Sequence, residues 1–170
     1  MRIRVGVVGI LMLVSVLGAG GPPAAWSRSD PTCTFTATLT LDPGLSSVVP
    51  SSGKFETAPG DEGTYRCRSP FGFGGETTGQ ATGYGRYGTR DDDSCSDGGE
   101  GDGRLRLYDN RSSRSGSFTF TYSPFSSDGV SMGEFRGDRF EGTFTLKVVD
   151  GDCLPTKVTR VQLDGKGWTR

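Results

Sequence analysis

The sequence predicts an all-β domain of about eight short antiparallel strands, forming one barrel or sandwich stapled by two disulfides. Three observations predict it. Apolar and polar residues alternate with the period of a half-buried strand. Clusters of Gly, Pro, Ser and Asp separate those runs. The four cysteines are even in number and fit no metal-binding or CxxC redox spacing.

Taken in order, residues 33–41 (CTFTATLTL) set Phe35, Ala37, Leu39 and Leu41 against four threonines. Residues 63–68 set Tyr65 and Cys67 against Arg66 and Arg68. Residues 78–89 are a strand interrupted by Gly79, Gly83, Gly85 and Gly88. Residues 104–109 oppose Leu105 and Leu107 to Arg104 and Arg106, and residues 116–122 oppose Phe118, Phe120 and Tyr122 to threonines. Residues 129–136 carry the weakest pattern. Residues 139–149 align Phe140, Gly142, Phe144, Leu146 and Val148, and residues 157–168 turn Val161 and Leu163 inward.

If these strands run up and down in sequence, Cys33 and Cys67 fall at one end and Cys95 and Cys153 at the other. The predicted pairs are therefore Cys33 with Cys67 and Cys95 with Cys153. Positions 33 and 67 are also symmetric about residue 50, inside the VVPSSG stretch that reads as a connecting turn. A Greek-key strand order would remove the basis of this assignment.

Residues 1–27 carry Arg2 and Arg4, an apolar run at 5–17 and then small residues and prolines, the order of a secretory signal peptide. A run of 13 apolar residues is short of the ~20 that span a bilayer, so no permanent membrane anchor is expected. Residues 28–170 are then a single exported domain, secreted or loosely held at the cell surface, where disulfides form. Removing residues 1–27 takes away two basic residues and no acid, leaving 17 Lys and Arg against 20 Asp and Glu, a net charge of −3. That balance argues against nucleic-acid binding, which needs a dense basic face. The chain has no histidine, which excludes Ser-His-Asp and Cys-His catalysis and imidazole-ligated zinc.

Two segments stand out as candidate sites. In the glycine-interrupted strand, Tyr84 and Tyr87 would make a stacking platform for a sugar or another flat ligand. The plainer reading is tyrosine covering glycine where a barrel coils. The acidic stretch at 91–103 reads as a glycine-flexible loop whose Asp91, Asp93, Asp97, Glu100 and Asp102 are candidate ligands for a weak calcium ion. It departs from the EF-hand pattern, because Cys95 takes a ligand position, and its carboxylates otherwise read as solvated. No cofactor other than calcium is expected.

Strand order and cysteine placement resemble a group of small, uncharacterised, exported disulfide-containing β-proteins of high-GC Gram-positive bacteria. The motifs that carry the resemblance are Gly133-Glu134-Phe135-Arg136-Gly137, Phe140-Glu141-Gly142-Thr143-Phe144, Asp152-Cys153, Val158-Thr159-Arg160-Val161 and Gly165-Lys166-Gly167. It implies export and an all-β fold and assigns no catalytic residue.

The expected function is a non-enzymatic binding or surface-associated protein whose partner is an extracellular ligand or protein. Two alternatives remain. A glycosidase-like extracellular enzyme would use carboxylates such as Asp138 with Glu141 or Asp150 with Asp152. A protease inhibitor would present residues 69–75 (SPFGFGG).

Overall fold

The structure, a computed structural model, describes residues 33–68, 75–109, 112–138 and 140–169. The signal segment at 1–27, nearly all of the inhibitor-type loop at 69–75, and Asn110 and Arg111 lie outside the described residues. All regular structure among the described residues is β. The strands are β1 (Cys33–Leu45), β2 (Gly53–Thr57), β3 (Gly63–Arg68), β4 (Glu76–Tyr87), β5 (Gly99–Tyr108), β6 (Ser113–Tyr122), β7 (Val130–Gly137), β8 (Phe140–Asp150) and β9 (Val158–Thr169).

Every pairing is antiparallel, and β9 returns to pair with β1, so the sheet closes into a barrel and leaves no sandwich edge. The barrel has eight positions for nine strands. Both β2 and β3 lie between β1 and β4, one after the other, as two halves of one broken stave. Leu39 opposes Thr57 and Thr36 opposes Thr64, so three steps along β1 face seven along its neighbour. The excess of four residues is even. It preserves the inward phase, and Phe55 and Tyr65 are both buried. The detour is pinned where the Ala58 amide donates to the Thr38 carbonyl at 2.9 Å.

Two differences from the sequence reading have the same cause. The strand β2 was not predicted, because its five residues carry one inward apolar side chain, Phe55. The strand β5 begins at Gly99, five residues before the predicted start, inside the stretch read as an acidic loop. Residues 99–103 alternate glycine with acid, which is a period-2 pattern whose inward members have no side chain. Aromatic rings from neighbouring strands fill that space. Phe55 lies over Gly85 and Gly103, Phe120 over Gly101, Phe135 over Gly142, Phe35 over Gly165 and Phe144 over Gly133. A Cβ at any of these six glycines would fall 2.1 to 2.8 Å from the ring.

The rings then meet across the lumen. Phe35 and Phe135 stand edge to face at 5.5 Å, as do Phe55 and Phe120 at 5.6 Å, geometries that favour the ring quadrupoles. They leave an apolar cavity of about 90 Å³ bordered by Phe55, Leu105, Phe118, Phe120, Phe144 and Leu163.

One barrel end is closed by residues 46–52 and 90–98. Ser51 and Asp93 exchange two backbone hydrogen bonds at 2.9 Å, the Cys95 amide donates to Ser46, and the Ser47 amide donates to Cys153, both at 3.1 Å. The Cys95–Cys153 disulfide ties this plug to the β8–β9 turn. At the opposite end Cys33 and Cys67 are directly paired across β1 and β3 and form the second disulfide. Both bonds match the pairs predicted from strand parity.

Asp93 anchors the plug from inside. It is 2% exposed, and its carboxylate accepts from the Tyr122 hydroxyl at 3.0 Å and the Glu100 amide at 3.2 Å. Burial pushes its pKa above the usual carboxylate value; hydrogen bonds from the Glu100 amide and Tyr122 oppose the rise, and the Glu100 charge adds to it. A carboxyl whose folded pKa is raised binds its proton more tightly when folded. Its contribution to stability is greatest below the unfolded value near 3.8 and declines as pH rises through the folded value. The difference in stability between wild type and Asp93→Asn, measured by urea unfolding across that window, should depend on pH with this sign. A constant difference would show that Asp93 does not titrate abnormally.

Candidate functional site

Outward-facing side chains on β2, β4, β5, β6 and β7 line a concavity of about 970 Å³ whose rim includes Lys54, Tyr84, Arg86, Arg104, Ser117 and Arg136. Register brings them together. Tyr84 opposes Arg104, Arg104 opposes Ser117, Arg106 opposes both Thr82 and Ser115, and Lys54 opposes Arg86. Outside the β5–β6 hairpin, each of these cross-strand neighbours lies at least 20 residues from its partner in sequence.

Tyr84 is 42% exposed, high for a large ring, and the Arg106 guanidinium carbon lies 5.5 Å from its ring centroid, within cation–π range. Tyr108 and Tyr84 raise the already high pKa of Arg106, which stays cationic. Arg86 pairs with Asp102 at 3.4 Å and Arg136 with Glu141 at 3.7 Å. Both arginines are 70% exposed, so each pair contributes little to stability, less than about 1 kcal/mol. Lys54 and Arg104 make no ion pair among the described residues.

The expected tyrosine platform does not form. Tyr84 and Tyr87 are three residues apart on one strand, which places them on opposite faces. Tyr84 points out, whereas Tyr87 is 3% exposed inside the barrel near the plug, and burial pushes its hydroxyl pKa up. The aromatic side of the site is therefore Tyr84 alone, with arginine in place of the second ring.

The proposed calcium ligands are likewise dispersed. Asp93 is buried in the plug, Asp97 accepts from the Ser94 hydroxyl at 2.7 Å, and Glu100 and Asp102 face outward from β5 toward Arg90 and Arg86. Asp91 is exposed in the β4–β5 connection. Among the described residues no three acidic or cysteine side chains gather to hold a metal. The stretch is drawn apart because residues 99–103 are strand while residues 91–98 belong to the β4–β5 connection and the plug.

Of the carboxylate pairs, Glu141 is held by Arg136 and by the Trp168 indole, which donates at 3.2 Å, while Asp138 is exposed in the β7–β8 turn. Asp150 accepts from the Thr159 hydroxyl at 2.9 Å, and Asp152 accepts from the Leu154 amide at 3.4 Å. These contacts are those of turn and strand-end residues. The sequence reading marked Arg104 and Arg106 only as outward strand residues and did not single out Lys54 or Arg86. Their alternation placed Arg104 and Arg106 outside, but the neighbours they meet depend on barrel register.

Fold and face together define a closed, disulfide-stapled antiparallel β-barrel with an arginine-rich, tyrosine-centred outer surface. Compared with known proteins, the chain matches no family, no curated protein and no solved structure.

Proposed function

We propose that this is an exported, non-enzymatic binding protein that works outside the cell, free or loosely held at its surface, and engages its ligand on the outer face around Tyr84. The observation that carries this reading is a solvent-exposed tyrosine, on a rigid closed barrel, bordered by two cations without ion-pair partners among the described residues. A ring fixed on a strand loses little conformational freedom when a ligand stacks on it. The leader-like residues 1–27 and the two disulfides support export. The absence of histidine and the engagement of Glu141 and Asp150 in local contacts favour binding over catalysis.

A glycan and ligand array probed with the disulfide-intact domain should give saturable binding to at least one class. Tyr84→Ala should weaken it about tenfold, the size of a lost aromatic contact near 1.4 kcal/mol. Binding that is unchanged in Tyr84→Ala would place the site elsewhere.

A further inference from the structure

We infer that the ligand of this face is an anionic glycan, its sugar ring resting on Tyr84 and its carboxylate or phosphate oxygens held by Arg104 and Arg106. This names the ligand class for the binding role above and rests on it. Arg104 and Arg106 occupy successive outward positions of β5, about 6.8 Å apart along a strand, a separation that their long side chains close easily onto one anion. Guanidinium forks bind carboxylate and phosphate oxygens in pairs, with geometry that an ammonium lacks.

The Arg106 guanidinium lies over one face of the Tyr84 ring, 5.5 Å from its centroid, so the sugar takes the other face and its anionic group reaches the arginine past the ring edge. Across β5–β6, Ser117 opposes Arg104 and Ser115 opposes Arg106, which supplies hydroxyl donors and acceptors for sugar hydroxyls. Lys54 adds a further cation on the rim. These charges sit on a domain whose net charge without residues 1–27 is −3, so the local field directs an anion to this face rather than to the whole surface.

The acids on the face argue for the kind of anion. Asp102 and Asp138 lie in the same concavity, and Glu56 opposes Tyr84. An evenly charged nucleic-acid backbone follows a continuous basic groove with several stacking rings. An acidic polysaccharide, whose charges are spaced by whole sugar rings, meets a single cation pair beside a single aromatic and avoids the intervening carboxylates.

Isothermal titration of the disulfide-intact domain against oligogalacturonate, a phosphorylated mannan oligomer, a neutral dextran oligomer and single-stranded DNA tests this. One acidic glycan should bind, and which of the two binds tells carboxylate from phosphate. Its affinity should fall at least tenfold in Arg104→Gln with Arg106→Gln, and fall again when NaCl is raised from about 50 to about 300 mM. Arg104→Lys should recover only part of the loss, because it restores the charge without the fork. Both positions are on the surface, so unchanged melting would show that the variants are folded. Equal binding of neutral dextran, sensitive to Tyr84→Ala and indifferent to the arginine variants, overturns the ligand class and leaves the binding role. DNA binding tighter than either acidic glycan also overturns the class. Silence in every arm overturns the ligand class and leaves the binding role to the ligand array, whereas binding indifferent to Tyr84→Ala and to the arginine variants overturns both.

Discussion

Gly85→Ala should lower stability by about 3 kcal/mol, the upper part of the usual range for overpacking a filled core, while Gly83→Ala should raise it by about 1 kcal/mol, the value of one buried methyl. The two glycines lie two residues apart on the same strand and the same face. At Gly85 a Cβ would come 2.1 Å from the Asp102 carbonyl and 2.6 Å from both the Gly103 backbone and the Phe55 ring, so two strands and a core ring must move. At Gly83 the nearest atom is 3.7 Å away, and the residue borders the interior cavity. Its φ is not positive, so alanine costs no backbone strain, and the hydrogen bonds that its amide and carbonyl make with the Thr57 hydroxyl are untouched. Thermal melts of the two variants should move in opposite directions. Equal destabilisation would mean that glycine in this strand is needed for its backbone and not for the rings that cover it.

Replacing Cys95 and Cys153 together by serine should cost about 4 kcal/mol, from the loop-closure entropy that a cross-link over a 58-residue separation removes from the unfolded chain. The melting midpoint should drop by more than about 10 °C. The loss should appear first in the plug, because the disulfide joins it to the β8–β9 turn while the barrel staves keep their own ladders. Amide exchange would accordingly rise at 46–52 and 90–98 before it rises in β8 or β9. A loss below about 1 kcal/mol would show that the plug's hydrogen bonds hold the end closed without the covalent tie.

The all-β class, most strand positions and both disulfide pairs were legible in the sequence, since each follows from a local rule. Alternation with period two marks a strand wherever the inward residue has a side chain, and parity of an up-and-down order assigns cysteines to ends. Where the inward residue is glycine that signal vanishes, which is why 91–103 reads as an acidic loop with a calcium site although Glu100 and Asp102 are outward residues of β5. The same alternation, applied to Tyr84 and Tyr87, already implied opposite faces and excluded a two-ring platform.

The sequence by itself determined the period of most strands and the chemistry that the lack of histidine excludes. Only the tertiary structure decided that the sheet closes, that β2 and β3 share one stave, that phenylalanines fill the glycine positions of neighbouring strands, and that Tyr84 meets Arg104 and Arg106. Each of these depends on register between segments distant in sequence, 48 residues apart for Phe55 and Gly103 and 130 for Phe35 and Gly165. Register is fixed by the sum of contacts around a closed ring, and a local pattern of apolar and polar residues does not encode which residue stands opposite another.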